Sequence, residues 1–326
     1  MTVNVTPEVS VALCTYNGEE HLAEQLRSIL AQSVLPDEVI VSDDGSRDGT
    51  LALVRRELAP IAARVRILEG RAGGVTANFE RALSACRGEI VLLSDQDDRW
   101  ATDRVRDTRD LFRARAELDF LFADAELVDG AGRPLGIGLF DSLEFSATER
   151  IAVHEGRGME VFIRRNVATG ATSALRRRLL DRAAPFPEEW VHDEWLAIIA
   201  AATGTIDVYG SRVIDYRQHG SNVIGAEPRT LQHKISRVLQ PRGDRNRGLA
   251  RRSALLRDRL EAMPGVDPAV LARVAEKARV EQLRASMPAL RLARIPRVIR
   301  LLSSGAYARV TSQGLLEAAR DLLQPA

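Results

Sequence analysis

Ile90-Val91-Leu92-Leu93-Ser94-Asp95-Gln96-Asp97-Asp98-Arg99-Trp100 is an apolar run that ends abruptly in three carboxylates. Its four leading apolar residues, bounded by Gly88 and the acidic cluster, predict a strand buried on both faces. Carboxylates packed this closely repel and raise one another's pKa unless a cation sits among them. Oxygen ligands on a short loop suit a hard divalent ion such as Mg²⁺ or Mn²⁺, whose shell phosphate oxygens usually complete. The run therefore predicts a metal–diphosphate site at the carboxyl end of a parallel strand, where open α/β sheets hold their ligands.

Upstream of this run the pattern alternates regularly. Val9 to Cys14 reads as a buried strand, and Glu19 to Gln32 as a helix with Leu22, Leu26, Ile29 and Leu30 on one face. Asn17 is its expected N-cap. A strand at Val39 to Ser42, a helix at Thr50 to Leu58, a strand at Val65 to Leu68 and a helix at Thr76 to Cys86 follow. Alternation at this spacing predicts an α/β fold, a mostly parallel sheet flanked by helices. Beyond Trp100 the reading is a helix at Arg104 to Leu118, a strand at Phe120 to Val128 and a turn at Asp129-Gly130-Ala131-Gly132. Leu135 to Gly158 reads as loop-rich, Val167 to Leu175 as a strand, Asp193 to Ala202 as a helix and Ile206 to Arg217 as one or two strands. From Glu227 onward the chain reads as helix, broken at Pro241, Pro264, Pro268, Pro288 and Pro296.

The chain of 326 residues, 45% apolar and 28% charged, has the composition of a soluble globular protein. Its net charge of +1 hides an asymmetry: 20 Lys+Arg against 9 Asp+Glu from Ala226 onward, and 26 against 36 before it. An acidic body with a basic tail suggests an anionic partner, nucleic acid or membrane, or simply solvated helix faces. Cys14 and Cys86 both sit in apolar stretches and can build no disulfide framework, which suits a reducing compartment. Residues 1–10 have no signal-peptide pattern, and no stretch approaches the length of a membrane span. A cytoplasmic location is expected.

The turns Cys14-Thr15-Tyr16-Asn17-Gly18 and Asp43-Asp44-Gly45-Ser46 each follow a predicted strand, so both should emerge beside Asp95-Gln96-Asp97. There is no Gly-x-Gly-x-x-Gly after the first strand and no Gly-Lys-Ser/Thr loop, which argues against dinucleotide oxidoreductases and P-loop NTPases.

Thr15-Tyr16-Asn17, Asp43-Asp44-Gly45-Ser46 with Asp48-Gly49-Thr50, and Asp95-Gln96-Asp97-Asp98-Arg99-Trp100 resemble the nucleotide-sugar half of family 2 glycosyltransferases. Thr169-Gly170-Ala171, His192-Asp193-Glu194-Trp195 and Tyr216-Arg217-Gln218-His219-Gly220-Ser221-Asn222 resemble the acceptor half, and the Asp95–Trp100 and His192–Trp195 forms are similar to those of the rhamnosyltransferase branch. The resemblance runs from Val9 to Gly225 and implies a GT-A fold over residues 1–225, split into a nucleotide-sugar half at 1–118 and an acceptor half at 119–225. Residues 226–326 form a basic helical extension outside it.

It also implies an inverting, metal-dependent transfer from a nucleotide-diphosphate sugar, dTDP-rhamnose for preference, to a glycan or lipid-linked glycan acceptor in cell-surface polysaccharide synthesis. A UDP-hexose donor and a non-catalytic nucleotide-sugar-binding module are the alternatives. By the same resemblance Asp95 and Asp97 carry Mg²⁺ or Mn²⁺, with Asp97 the direct ligand and Asp95 also near the donor. Asp43 and Asp44 face base and ribose, and Thr15, with Tyr16 and Asn17, lines the base pocket. His219, before Gly220, is a candidate third metal ligand. No nucleic-acid partner is expected.

Asp193 is the candidate base that takes the proton of the acceptor hydroxyl. At the start of a helix its charge is favoured by the dipole; capping that helix would explain it equally well. Trp195 reads as acceptor-site wall or core, and His21, His154, His192 and His233 carry no distinctive context. From Ala289 to Leu302, Leu292, Ile295, Val298, Ile299 and Leu302 share one helical face and Arg291, Arg294, Arg297 and Arg300 much of the other, with a kink expected at Pro296. Such a helix suits peripheral contact with the inner face of an anionic membrane, packing on the catalytic domain, or a second subunit of a homo-oligomer.

Overall fold

Strand β1 (Val9–Thr15) is buried along its whole length, because β2 (Glu38–Asp43) and β4 (Ile90–Ser94) flank it in parallel. Strand β3 (Val65–Leu68) adds to β2, also in parallel. The registers pair Thr15 with Asp43 and Leu13 with Ser94, so three polar turns leave the sheet at one edge. The computed structural model describes residues 8–218 and 244–324. They fall into two compact units, 8–156 with 167–218, and 157–166 with 244–324.

In the first unit the helices α1 (Leu22–Leu30), α2 (Thr50–Glu57), α3 (Val75–Ala85) and α4 (Arg104–Ala114) follow the expected alternation. Beyond β4 the sheet changes character. Antiparallel β8 (Ala174–Arg176) joins β4 to β6 (Leu118–Val128), β9 (Thr205–Arg217) runs parallel to β6, and β5 (Arg99–Trp100) pairs with β9. The result is a mixed sheet of order β3-β2-β1-β4-β8-β6-β9-β5, with β7 (Pro134–Gly138) on β6. Helix α5 (His192–Thr203) carries the second motif region to this sheet.

Several expectations change. Asn17 does not cap α1, whose N-cap is His21 without a side-chain bond. Asn17 instead adopts φ 46°, a left-handed conformation that Asn tolerates, and its side chain accepts from the Arg47 N–H at 2.9 Å. Leu118 opens β6 rather than closing α4. The stretch expected as loop holds β7 and two short helices, Leu139–Ser142 and Ala147–Ala152. The second begins at a capping box between Ser146 and Glu149, a signal present in the sequence. Of the strand expected at Val167 to Leu175 only Ala174 and Leu175 lie in the sheet, and Arg176 completes β8.

The second unit contains α6 (Arg245–Glu261), α7 (Pro268–Ala285), α8 (Ile295–Ser303), α9 (Ala306–Val310) and α10 (Leu315–Leu323). Pro268 and Pro296 start helices instead of breaking or kinking them, since a first-turn proline gives up no hydrogen bond. Pro241 lies outside the described residues. Residues 157–166 group with these helices, and Arg273 reaches Glu160 at 3.9 Å.

A buried ionic network organises the unit. Arg284 donates to Glu281 at 2.9 Å and to Asp321 at 2.8 Å and also pairs with Glu317; Tyr307 donates to Asp321 at 2.8 Å. Burial alone would raise the Glu317 carboxyl, but hydrogen bonding from Arg245 and the charges of Arg284, Arg245 and Arg320 hold it at about 2. A carboxyl held below its ordinary value stabilises the fold at neutral pH and loses that contribution on acidification. Melting followed by circular dichroism should therefore show a loss of about 3 kcal/mol as pH falls from about 5 to about 2. The Glu317→Gln variant, less stable at neutral pH, should show a shallower acid dependence.

Candidate active site

A cavity of about 880 Å³ opens where β1, β2 and β4 end, and Thr15, Tyr16, Asn17, Asp44, Asp95, Gln96 and Asp97 line one side of it. The turns that bear these residues are knitted together. Gln96 accepts from the Tyr16 N–H at 2.8 Å and donates to the Tyr16 carbonyl at 3.1 Å. Gly18 leaves room for this clamp, because a Cβ there would lie 2.3 Å from the Gln96 Oε1 and would push the Gln96 amide aside. The Asn17 N–H donates to Ser46 Oγ at 2.9 Å, joining the first turn to the second.

Asp43 and Asp44 divide their work. Asp43 is fully buried behind the wall, its oxygens taken by the Thr15 hydroxyl at 2.8 Å and by the N–H groups of Gly45 and Ser46. Asp44 lies in the lining, and the N–H groups of Ala72, Gly73 and Gly74 hold its carboxyl below the usual range, against the opposing effect of burial. Asn78 braces the floor by donating to the carbonyls of Thr15 and Ser42 at 3.3 and 3.0 Å.

The acidic loop is held from every side. Gln25, with its amide oriented to match donors and acceptors, donates to the Asp98 carbonyl and accepts from Trp100 Nε1 at 2.9 Å. Arg217, at the end of β9, donates from Nε to the Asp97 carbonyl at 3.0 Å and from its backbone N–H to Asp98 Oδ1 at 3.2 Å. Arg104 is buried with its guanidinium 4.0 Å from the Trp100 ring centre and bonds the Leu93 carbonyl at 3.1 Å.

The electrostatics record the crowding. Burial, then the charges of Asp97 and Asp193, push the Asp95 carboxyl up to about 8, against Arg104. Burial with Asp97 and Asp95 likewise raises Asp98, and burial lowers Arg104 to about 9 despite those carboxylates. Tyr216 lines the same cavity, and burial with Asp95, Asp98, Asp97 and Asp193 raises its phenol.

The opposite wall is formed by Thr169, Gly170, Val191, His192, Asp193 and Glu194. Asp193 sits in the first turn of α5, and its carboxylate accepts from the Gly170 N–H at 2.9 Å and the Glu194 N–H at 2.6 Å. Gly170 has to be glycine, since a Cβ would lie 2.7 Å from His192 Nε2. His192 stacks on Phe79 with ring centres 3.8 Å apart, and neither of its ring nitrogens finds a partner among the described residues. Desolvation lowers it to about 3, so the imidazole is neutral near pH 7.

Of the residues singled out in the sequence, the cavity thus brings together Thr15, Tyr16, Asn17, Asp44, Asp95, Asp97 and Asp193. Asp43 is not in its lining, and His219 lies outside the described residues. Trp195 is core, fully buried with Nε1 donating to the Ala183 carbonyl at 2.7 Å. His192, Tyr216, Arg217 and Arg71, an exposed cation on the glycine-rich turn after β3, were not singled out. No ready-made group of three metal-ligating side chains exists among the described residues. Two carboxylates, one of them driven toward protonation by its neighbours, nevertheless fit a divalent ion whose remaining ligands are diphosphate oxygens and water.

The model of glycosyl transferase family 2 matches residues 10–182. The chain belongs to that family.

This glycosyltransferase is 35% identical over 97 residues to the Bacillus subtilis protein EpsE, covering 29% of this chain and 35% of that one. It is 33% identical over 103 residues to the dTDP-rhamnosyl transferase RfbG of Shigella flexneri, covering 30% and 36%. The chain spans about a third of the length of the first curated relatives it matches. Among solved structures, S. aureus TarS 1–349 with UDP-GlcNAc superposes with a TM-score of 0.56 at 20% identity, covering 97% of this chain and 88% of that. The mannosyltransferase PcManGT from Pyrobaculum calidifontis, with GDP-Man and Mn²⁺, gives 0.53 at 20% identity, covering 97% and 86%. The fold is the GT-A type, carrying a C-terminal helical region.

Two substitutions probe how the glycosyltransferase holds its site. Gly170→Ala should displace His192 and Asp193, cut turnover at least tenfold and lower stability by about 1–3 kcal/mol. Arg217→Ala should lower stability by about 1–3 kcal/mol, because the carbonyls of Asp97 and Gly130 lose the buried guanidinium that donates to them; denaturant titration measures the loss.

Proposed function

We propose that the cavity holds a nucleotide-diphosphate sugar with an acceptor hydroxyl beside it, and that the enzyme transfers the sugar with inversion at its anomeric carbon. The convergence of Asp95, Asp97 and Asp193 on one cavity that also collects the ends of β1 and β2 carries this reading. Residues 1–225 form the catalytic domain in this reading, with 226–326 as an appended helical region.

Tyr16, Asn17 and Thr15 border the base, with Asp44 toward the ribose. Asp43 acts at one remove, fixing the turn on which Asp44 stands. Mg²⁺ or Mn²⁺ held by Asp97 and Asp95, with His219 as a third ligand, would neutralise charge on the departing diphosphate. The Mn²⁺ and GDP-Man present together in the PcManGT structure support the use of a divalent metal.

Asp193 is the base. Two backbone N–H groups fix its carboxylate, so one oxygen is aimed rather than wandering. As the acceptor oxygen bonds to the anomeric carbon, its proton passes to Asp193. The bond from that carbon to the diphosphate oxygen breaks, and the electron pair leaves with the diphosphate.

For the donor we favour dTDP-rhamnose, supported by the likeness to RfbG and by the form of the Asp95–Trp100 and His192–Trp195 motifs. The acceptor is a glycan or lipid-linked glycan of cell-surface polysaccharide synthesis, met on the cytoplasmic face of the membrane. The buried free thiols of Cys14 and Cys86 suit that compartment.

A panel of dTDP-rhamnose, UDP-glucose, UDP-GlcNAc and GDP-mannose, each with Mn²⁺, tests the reading by thermal shift and by turnover. dTDP-rhamnose should stabilise most; a UDP-hexose in first place reassigns the donor, and no stabilisation by any of them refutes the site. Asp97→Ala should abolish the metal-dependent shift. Asp193→Asn should keep donor binding and lose about 10²–10⁴ in transfer rate.

A further inference from the structure

The last helix of the described chain is inside out. On α10 the charged residues Glu317, Arg320 and Asp321 are buried in the ionic network with Arg284, Arg245 and Tyr307. With that face turned inward, Leu315, Leu316 and Leu323 stand 77%, 42% and 49% exposed. A water-facing helix has the opposite arrangement.

Helix α8 packs on α10 and adds to the same character. It buries Val298 and Leu301 but leaves Ile295, Ile299 and Leu302 outside, and Leu290 and Leu292 are exposed on the segment that leads into it. One exposed leucine requires no explanation, but eight such side chains on adjoining elements of one small unit do.

Charge sorts the surface as well. Residues 282–316 contain six arginines, no lysine and no carboxylate. Arg284 and Arg294 are buried among partners, whereas Arg291, Arg297 and Arg300 are exposed on the same segment as the apolar side chains, flanking them on the polar side of the helix.

We propose that this face of the C-terminal unit docks on an anionic lipid surface. The leucines and isoleucines enter the boundary between headgroups and acyl chains, and the three arginines lie at the level of the phosphates. No helix among the described residues is long and apolar enough to cross a membrane, so the contact is peripheral. A second copy of the chain is the poorer occupant. Two-fold pairing would set these arginines against their own copies, with no carboxylate in the stretch to answer them. The proposal is independent of the transfer chemistry.

Sedimentation of the full chain with vesicles tests it, using phosphatidylglycerol mixed with phosphatidylcholine against phosphatidylcholine alone. The chain should sediment with the anionic vesicles and release steeply as salt rises. Replacing Arg291, Arg297 and Arg300 together by Glu should reduce partitioning at least about a hundredfold, from about fivefold per arginine. Ile295→Ser with Ile299→Ser, and separately Leu315→Ser with Leu316→Ser, should each reduce it about tenfold or more at low salt. All these positions are exposed, so melting temperatures should stay within a few degrees of the parent. Failure to bind anionic vesicles, or equal binding by parent and variants, overturns the proposal. So does a lipid-free dimer that the serine variants dissolve.

Discussion

Like charges confined to one cavity are the constraint on which this architecture depends. Asp95, Asp97 and Asp193 line the site and Asp98 lies directly beneath it, close enough that each contributes to raising the Tyr216 phenol. Such a cluster is opposed by its own repulsion, which pushes Asp95 and Asp98 toward protonation and leaves the surrounding chain to hold the loop in place. Arg104 supplies a buried positive charge below the loop, and Arg217 grips its backbone from the far end of the sheet. The long strand β9 exists, in this sense, to bring Arg217 and Tyr216 back to the ends of β1 and β4. The acidic loop is therefore a property of the whole mixed sheet, not of its own short sequence.

Close approach follows from the same need. At the cavity two glycines leave no room for a Cβ unless a neighbour shifts: Gly18 against Gln96, and Gly170 against His192. The second lets α5 approach until Asp193 meets the Gly170 N–H, so that backbone donors help to orient the carboxylate. Stacking of His192 on Phe79 then closes the gap between α3 and α5.

The parallel half was legible because each strand is a short apolar run closed by a polar turn. β1, β2 and β4 end within a residue of where the pattern stops, and their shared direction puts Thr15, Asp44 and Asp97 on one edge. Residues 135–158 were not legible as a whole, because short elements leave little periodicity to read. Even so, Ser146 and Glu149 announce one of the helices. Arg104 carries no local mark, and Arg217, though inside the Tyr216–Asn222 motif, carries none that tells its role; their roles arise from neighbours 11 and 120 positions away. His192 resembled any lone histidine until Phe79 and Gly170 were seen against it. Burial of charge on α10 inverted the usual rule that charged helix positions face water.

The Gln96–Tyr16 clamp divides the roles of a single residue. Only the main chain of position 16 is gripped, through its N–H and its carbonyl, while the phenol ring stands 58% exposed at the rim. Any amino acid other than proline can offer the same two groups. The rim can thus exchange its aromatic face for another shape while the acidic loop stays where it is, so the chemistry of the cavity mouth can drift without loosening the turn that carries it.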